Sequence, residues 1–405
     1  LSLKTVKIGF EIAFREVAII KKLKIAALLV FLSSLVFLAA CSDIQEGDIT
    51  KNAVNFTPGD LPQELEDDMD NNRVIMLGEF HGSREHQELL TDIAISLHER
   101  GQIDRVVLDD RHAFSWIFED FVLTRLDEGV FVRDIGDTRW ELLQAIRDYN
   151  EEREAGDRLK VSAGDINFQR DQFITSMQFM RRYLEDSEPI NRFLNNYRTS
   201  ADMEGVLKDF RDEVKEKRML EGEWNVDWNE RVVDLIEIEL ASREPREIWQ
   251  NEYPRAHRIR EDVVKNIADR YLETKNDRVL FNFSYSHAQK EHAFGIEKEW
   301  LAEHLEKTYS PENLFSLVLV PLTGEVRATS GEIQSIDLLD DPLDDELIST
   351  TANIMGENQY TYLHLSEEYF GDKSIKFDFN HHQFEAVPSD LFDGLILIPE
   401  VRPLP

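Results

Sequence analysis

Apolar positions recur along this chain with two periods, and the switch from one to the other marks out its elements. "RVIMLGE" (Arg73–Glu79) is a short, nearly unbroken apolar run closed by Gly and Glu, the pattern of a strand buried on both faces. In Glu85–Gly101, Leu89, Leu90, Ile93, Ile95 and Leu97 keep a helical spacing and Gly101 supplies a stop. "RVVLDD" (Arg105–Asp110) reads as a second buried strand. Strand, helix, strand predicts a parallel pair joined by a right-handed crossover. The cycle repeats with a helix over Arg139–Glu154 and a third strand over Leu159–Asp165. From about residue 172 to about 275 the pattern is charged and amphipathic with no strand signal, which predicts a helical insertion. Strand patterns return in Asp277–Gln289 and Asn313–Val326, and Tyr360–Phe370 and Leu391–Val401 are expected to close the sheet as edge structure. The predicted fold is α/β, a mostly parallel central sheet flanked by helices, with the helical insertion covering the site.

The first 65 residues follow a different logic. Lys21, Lys22 and Lys24 precede the apolar run Ile25–Ala40, interrupted only by Ser33 and Ser34, and small residues then lead into Cys41. Charged, apolar and small-residue regions in that order predict a signal peptide over residues 1–40, since the run is shorter than the ~20 residues a spanning helix needs. "LAAC" resembles the lipobox of bacterial lipoproteins. That resemblance implies lipidation of Cys41 and attachment to the cell envelope, and Ser42 in place of Asp implies the outer membrane. Residues 41–65 carry Gly47, Asn52, Asn55, Pro58, Gly59 and Pro62 without apolar periodicity, so a flexible tether is expected before a domain spanning 66–405.

Composition narrows the function classes. With 42% hydrophobic and 10% aromatic residues the chain can bury a substantial core. Its 80 acidic residues against 46 basic ones give a net charge of −34, which repels a nucleic-acid backbone and excludes DNA and RNA as partners. Cys41 is the sole cysteine, so an intrachain disulfide and a thiolate zinc site are both excluded.

In open α/β sheets ligands bind beyond the carboxyl ends of the strands. The polar residues there are Glu79 and His81 after the first strand, Asp109 and Asp110 after the second, Asp165 after the third, and Ser286 and His287 after the fourth. Histidines converging with carboxylates suit either a general base with orienting carboxylates or a divalent metal held by both. Arg84, beside Glu85, and Arg260, in a basic cluster with His257 and Arg258, are candidates for holding an oxyanion. His86, His98, His304, His381 and His382 are expected on the surface, with His292 intermediate. The chain has no GxSxG elbow, Gly-rich phosphate loop or HExxH motif.

Taken together, "VIMLGEFHGSREHQELL", "VVLDDRHAF" and "WELLQAIRDYNEEREAGDRLKVSAGDIN" resemble the erythromycin esterase-like family of the wider Tiki/ChaN-type superfamily. The likeness rests on Leu77-Gly78-Glu79, His81-Gly82, Arg84-Glu85, Asp109, Trp140 with Arg147-Asp148-Tyr149-Asn150, Gly164-Asp165 and the strand-end His287. One residue separates Glu79 from His81, as in the ChaN-like and Tiki-like branches, where the esterases have two. The resemblance implies a membrane-tethered hydrolase of an ester, lactone or amide in a small molecule or peptide. In that reading His81 activates water, Glu79 and Asp109 support it, His287 with Arg84 or Arg260 stabilises the oxyanion, and no cofactor is needed. Its alternatives are a Tiki-like peptidase with a divalent metal on Glu79, His81 and His287, and a ChaN-like haem- or metal-binding lipoprotein.

Overall fold

The computed structural model describes residues 46–70, 72–127, 139–295, 297–328, 331–338, 346–356, 359–366, 370–371, 373–379 and 382–404. Cys41 and the signal-peptide region 1–40 lie outside them. The strands are β1 (Ala53–Phe56), β2 (Val74–Glu79), β3 (Arg105–Arg111), β4 (Lys160–Asp165), β5 (Val279–Ser284), β6 (Leu314–Arg327), β7 (Ile333–Asp337), β8 (Tyr360–His364), β9 (Ile375–Phe379), β10 (His382–Ala386) and β11 (Gly394–Val401). The main sheet has the order β1-β8-β11-β6-β2-β5-β3-β4, with β7 paired to the far part of β6 and β9-β10 forming a separate hairpin. From β11 to β4 every neighbouring pair is parallel, while β8, β1 and β7 pair antiparallel. The mostly parallel α/β architecture is therefore present.

Three local expectations are corrected. β2 and β3 are not adjacent; β5 lies between them and is parallel to both. Its Val279, Leu280, Phe281 and Phe283 are buried, and the buried Asn282 donates to the Leu77 carbonyl at 3.3 Å. A strand apolar on both faces belongs in the middle of a sheet, whatever its place in the chain. For the same reason β11, buried through Gly394–Ile398, is an interior strand between β6 and β8 rather than an edge. The tether expected over 41–65 is in its described part folded structure: Glu46–Asn52 is helical and β1 pairs with β8, Phe56 opposite Tyr360 in a T-shaped contact at 5.6 Å.

Helices Arg84–Glu99, Ser115–Val122 and Trp140–Glu151 pack on one another and carry Leu89, Ile93, Phe118, Phe121, Leu143 and Ile146 into the core. Between β4 and β5 the described elements are helical: Arg170–Met180, Glu188–Thr199, Met203–Lys217, Trp228–Ile248 and Tyr253–Tyr271, with a single short 3-10 turn. Their aromatics extend the core of the sheet, with Phe193 stacked on Phe210 at 4.4 Å and Phe173 edge-on to Tyr197 at 5.7 Å. The last of them, Tyr253–Tyr271, returns to the sheet against β4 and brings Arg260 and Glu261, both buried, to the strand ends. Among the described residues no helix is long and apolar enough to cross a membrane.

Candidate active site

Two glycines shape the loop that carries His81. A Cβ on Gly78 would lie 2.8 Å from the Ala288 Cβ and 2.9 Å from the Tyr285 Cα, so a side chain here would push away the 3-10 turn Tyr285–Ala288. Gly82 has φ +86°, and a Cβ there would lie 1.9 Å from the Arg327 carbonyl oxygen. The Gly82 carbonyl accepts from the backbone N–H of Arg327 at 3.0 Å and of Leu404 at 2.9 Å, so β6 and the segment after β11 hold the loop from two directions. Glu85 reinforces this by accepting from the Arg402 backbone N–H and side chain, both at 2.6 Å.

Glu79, His81 and Asp109 meet. His81 Nδ1 lies 2.9 Å from Glu79 Oε1, and its Nε2 lies 3.4 Å from Asp109 Oδ2. Each carboxylate is backed by a buried guanidinium: Arg139 donates to Glu79 at 3.1 Å and Arg260 to Asp109 at 3.0 Å. Arg260 also donates to both oxygens of the buried Asp165, at 2.8 and 2.7 Å. The imidazole is 35% exposed while the two carboxylates beside it are buried, so His81 is the member of the cluster that faces solvent.

Three carboxylates, two guanidiniums and one imidazole balance when the imidazole is charged. Burial disfavours that charge on His81, but Asp109 and Glu79 outweigh it and raise its pKa to about 9. Burial likewise works against the charge on Glu79, yet Arg139 and then His81 hold this carboxyl well below the usual carboxylate range. Asp109 is also held low, Arg260 and His81 overcoming its burial. For Asp165, burial and the nearby Asp109 charge prevail over Arg260 and push the pKa up.

The other expected residues sit elsewhere. His287 is buried behind the cluster, with Nδ1 3.2 Å from Oε1 of the buried Glu261 and its ring against Trp300 at 5.0 Å and Phe283 at 5.4 Å. Arg84 is partly exposed and paired with Glu88 at 3.2 Å and Glu141 at 3.4 Å, outside the Glu79–His81–Asp109 contacts. Arg260 reaches the site, but as the brace of Asp109 and Asp165. His86 and His98, expected on the surface, are both buried. His86 Nδ1 donates to the Phe80 carbonyl at 2.7 Å, directly beneath the His81 loop, and burial lowers its pKa. His98 Nδ1 meets the Tyr149 hydroxyl at 2.8 Å.

Sequence reasoning missed Arg139, Glu261 and the supporting role of His86. Glu261 adjoins Arg260, and two successive charges facing the sheet would have been its signal. Arg139 sits at the entrance of its helix with no pattern of its own. A metal ion on Glu79 would have to displace His81 Nδ1, which lies 2.9 Å away; the other ring nitrogen, 3.4 Å from Asp109, is the one left to meet water. The arginine beside Glu79 also disfavours a cation there, and among the described residues no group of three or more His, Cys, Asp or Glu is arranged to hold a metal. The donor set does not fit the metal-bound variant.

No family model and no curated protein matches the sequence. Solved structures do match. A protein from Bacillus cereus is 14% identical with a TM-score of 0.64 over 89% of this chain and 98% of its own. A succinoglycan biosynthesis protein is 13% identical with a TM-score of 0.66, covering 88% and 97%. A histidine-to-asparagine mutant of erythromycin esterase EreC, in its open conformation, is 13% identical with a TM-score of 0.57, covering 85% and 95%. Haem-bound ChaN of Campylobacter jejuni reaches only 0.31, too slight a likeness to carry an argument. At these identities the shared property is architecture: this chain is built on the fold of erythromycin esterase.

Proposed function

We propose that this protein is a hydrolase of carboxylic esters, lactones or amides in which His81 removes a proton from the attacking water. The observation that carries the reading is the Glu79–His81–Asp109 arrangement at the strand ends, with the imidazole alone facing solvent. A base between two carboxylates is oriented by both, and the imidazolium formed as water loses its proton is stabilised where it forms. Arg139 and Arg260 keep Glu79 and Asp109 ionised for that purpose. The fold shared with erythromycin esterase supports the same class of chemistry.

The test is turnover of a panel of simple acyl esters by purified protein. His81→Ala is expected to lower the rate by about 10²- to 10⁴-fold, the usual contribution of a general base. Turnover equal in the variant and the parent would refute the assignment. The mature chain is further proposed to act at the bacterial outer membrane, anchored through a lipid on Cys41, a reading supported by the order of regions in residues 1–41.

A further inference from the structure

Among the described residues three large hydrophobic side chains are exposed, Phe168, Tyr253 and Ile333; Phe168 lies against Arg260, the brace of the cluster, and Tyr253 is joined to Phe168 through Trp249. Phe168 follows β4 and lies over the Arg260 guanidinium, 5.6 Å from ring centroid to Cζ. Trp249 joins the two, edge-on to Phe168 at 5.5 Å and to Tyr253 at 5.3 Å. His257 packs behind, 5.7 Å from Trp249 and 5.4 Å from Tyr253, one helical turn from Arg260.

Phe168 is not displayed by a slack loop. Its neighbours Ile166 and Asn167 are fully buried, and Asn167 is tied to the helix Trp228–Ile248 twice. Its backbone N–H donates to the Ser242 hydroxyl at 3.0 Å and its side-chain amide to Glu239 at 3.1 Å. Arg246 adds a bond to the Asn167 carbonyl at 3.1 Å. A backbone held this firmly fixes the partly exposed Phe168 ring in place, the preorganised form of a recognition surface.

We propose that Phe168, Trp249 and Tyr253 form a subsite for a saccharide ring of the substrate, so that the ester cleaved is carried by a sugar. The inference deepens the ester-hydrolase reading and rests on it. The apolar surface offered is edged by charge: exposed Glu252 and Arg255 flank Tyr253. An alkyl chain would cover charged groups it cannot pair with, and a wholly apolar ring would do the same. A saccharide presents C–H faces to aromatic rings and hydroxyls to the charged edge, matching both. Neutral His257, its pKa lowered to about 4 by burial and then by Arg260 and His287, keeps a further cation out of the aromatic layer.

Three acetates with the same acyl group decide the question: 6-O-acetylglucose, cyclohexyl acetate and ethyl acetate. In Phe168→Ala and Tyr253→Ala the ratio of kcat/KM for the sugar ester to that for ethyl acetate should fall roughly three- to tenfold, through KM, the size of one aromatic contact. Ile333→Ala, on β7, should leave that ratio unchanged. An unchanged ratio in the rim variants overturns the proposal, as does an equal loss with cyclohexyl acetate, which would mark a site for apolar rings. If no ester is turned over the hydrolase reading fails separately, and the rim is then judged by emission from Trp249. Quenching by 6-O-acetylglucose that disappears in Trp249→Phe and weakens in Tyr253→Ala supports the subsite; no quenching overturns it.

Discussion

His81 and His86 lie five residues apart and do different work for reasons of contact, not of residue type. His81 sits between two ionised carboxylates at the solvent boundary; His86 is buried and holds the carbonyl of Phe80, the residue between Glu79 and His81. Removing the His86 ring takes away its bond to that carbonyl and opens a void under the loop. His86→Ala should therefore destabilise the protein by on the order of 2 kcal/mol and lower kcat, read by thermal melting and ester turnover. A variant with parental melting temperature and rate would show that the loop needs no support from below. Glu79, His81 and Asp109 were legible in the sequence because strand ends in a parallel sheet point one way, so a polar residue after each apolar run lands on a common edge. His86 was not: a lone polar residue on an amphipathic helix carries no sign of a backbone carbonyl six residues earlier turning toward it.

Among the elements, the loop after β2 depends on parts of the chain far from it in sequence. Arg327 of β6 and Leu404 beyond β11 both bond the Gly82 carbonyl, and the Gly82 backbone takes a conformation that L side chains rarely adopt. Gly82→Ala should strain the backbone and drive a methyl into the Arg327 carbonyl, lowering stability by about 1–3 kcal/mol and displacing His81. Thermal melting together with turnover checks this, and an alanine variant as stable and active as the parent would show that the loop shifts freely. Sequence periodicity identified β2 to β6 and the helices between them because each has one dominant apolar pattern. It could not order them: β5 enters between β2 and β3 through burial on both faces, a property of the whole sheet. Phe56 and Val54 of β1 form too short a stretch, amid Pro and Gly, to register as a strand before β8 provides its partner.

For the molecule as a whole, a net charge of −34 keeps the surface hydrated and hostile to anionic polymers, while within the Glu79–His81–Asp109 cluster each carboxylate is paired with a cationic side chain. The outer-membrane reading is checked by fractionating cells that express the full chain. Cys41→Ser should release the protein from membranes or stall its processing, and unchanged retention with normal processing would contradict lipidation. The central claim, that His81 is a base poised by Glu79 and Asp109, is tested most directly by the pH dependence of kcat/KM for a simple ester. A base must be deprotonated to act, so with a pKa of about 9 the parent rate should rise with pH and level off above that value. Asp109→Asn removes one of the two carboxylates that favour the imidazolium, so its inflection should move to lower pH by about a unit or more, with a reduced plateau. A rate that falls as pH rises toward 9, or an inflection unmoved by Asp109→Asn, would contradict the account.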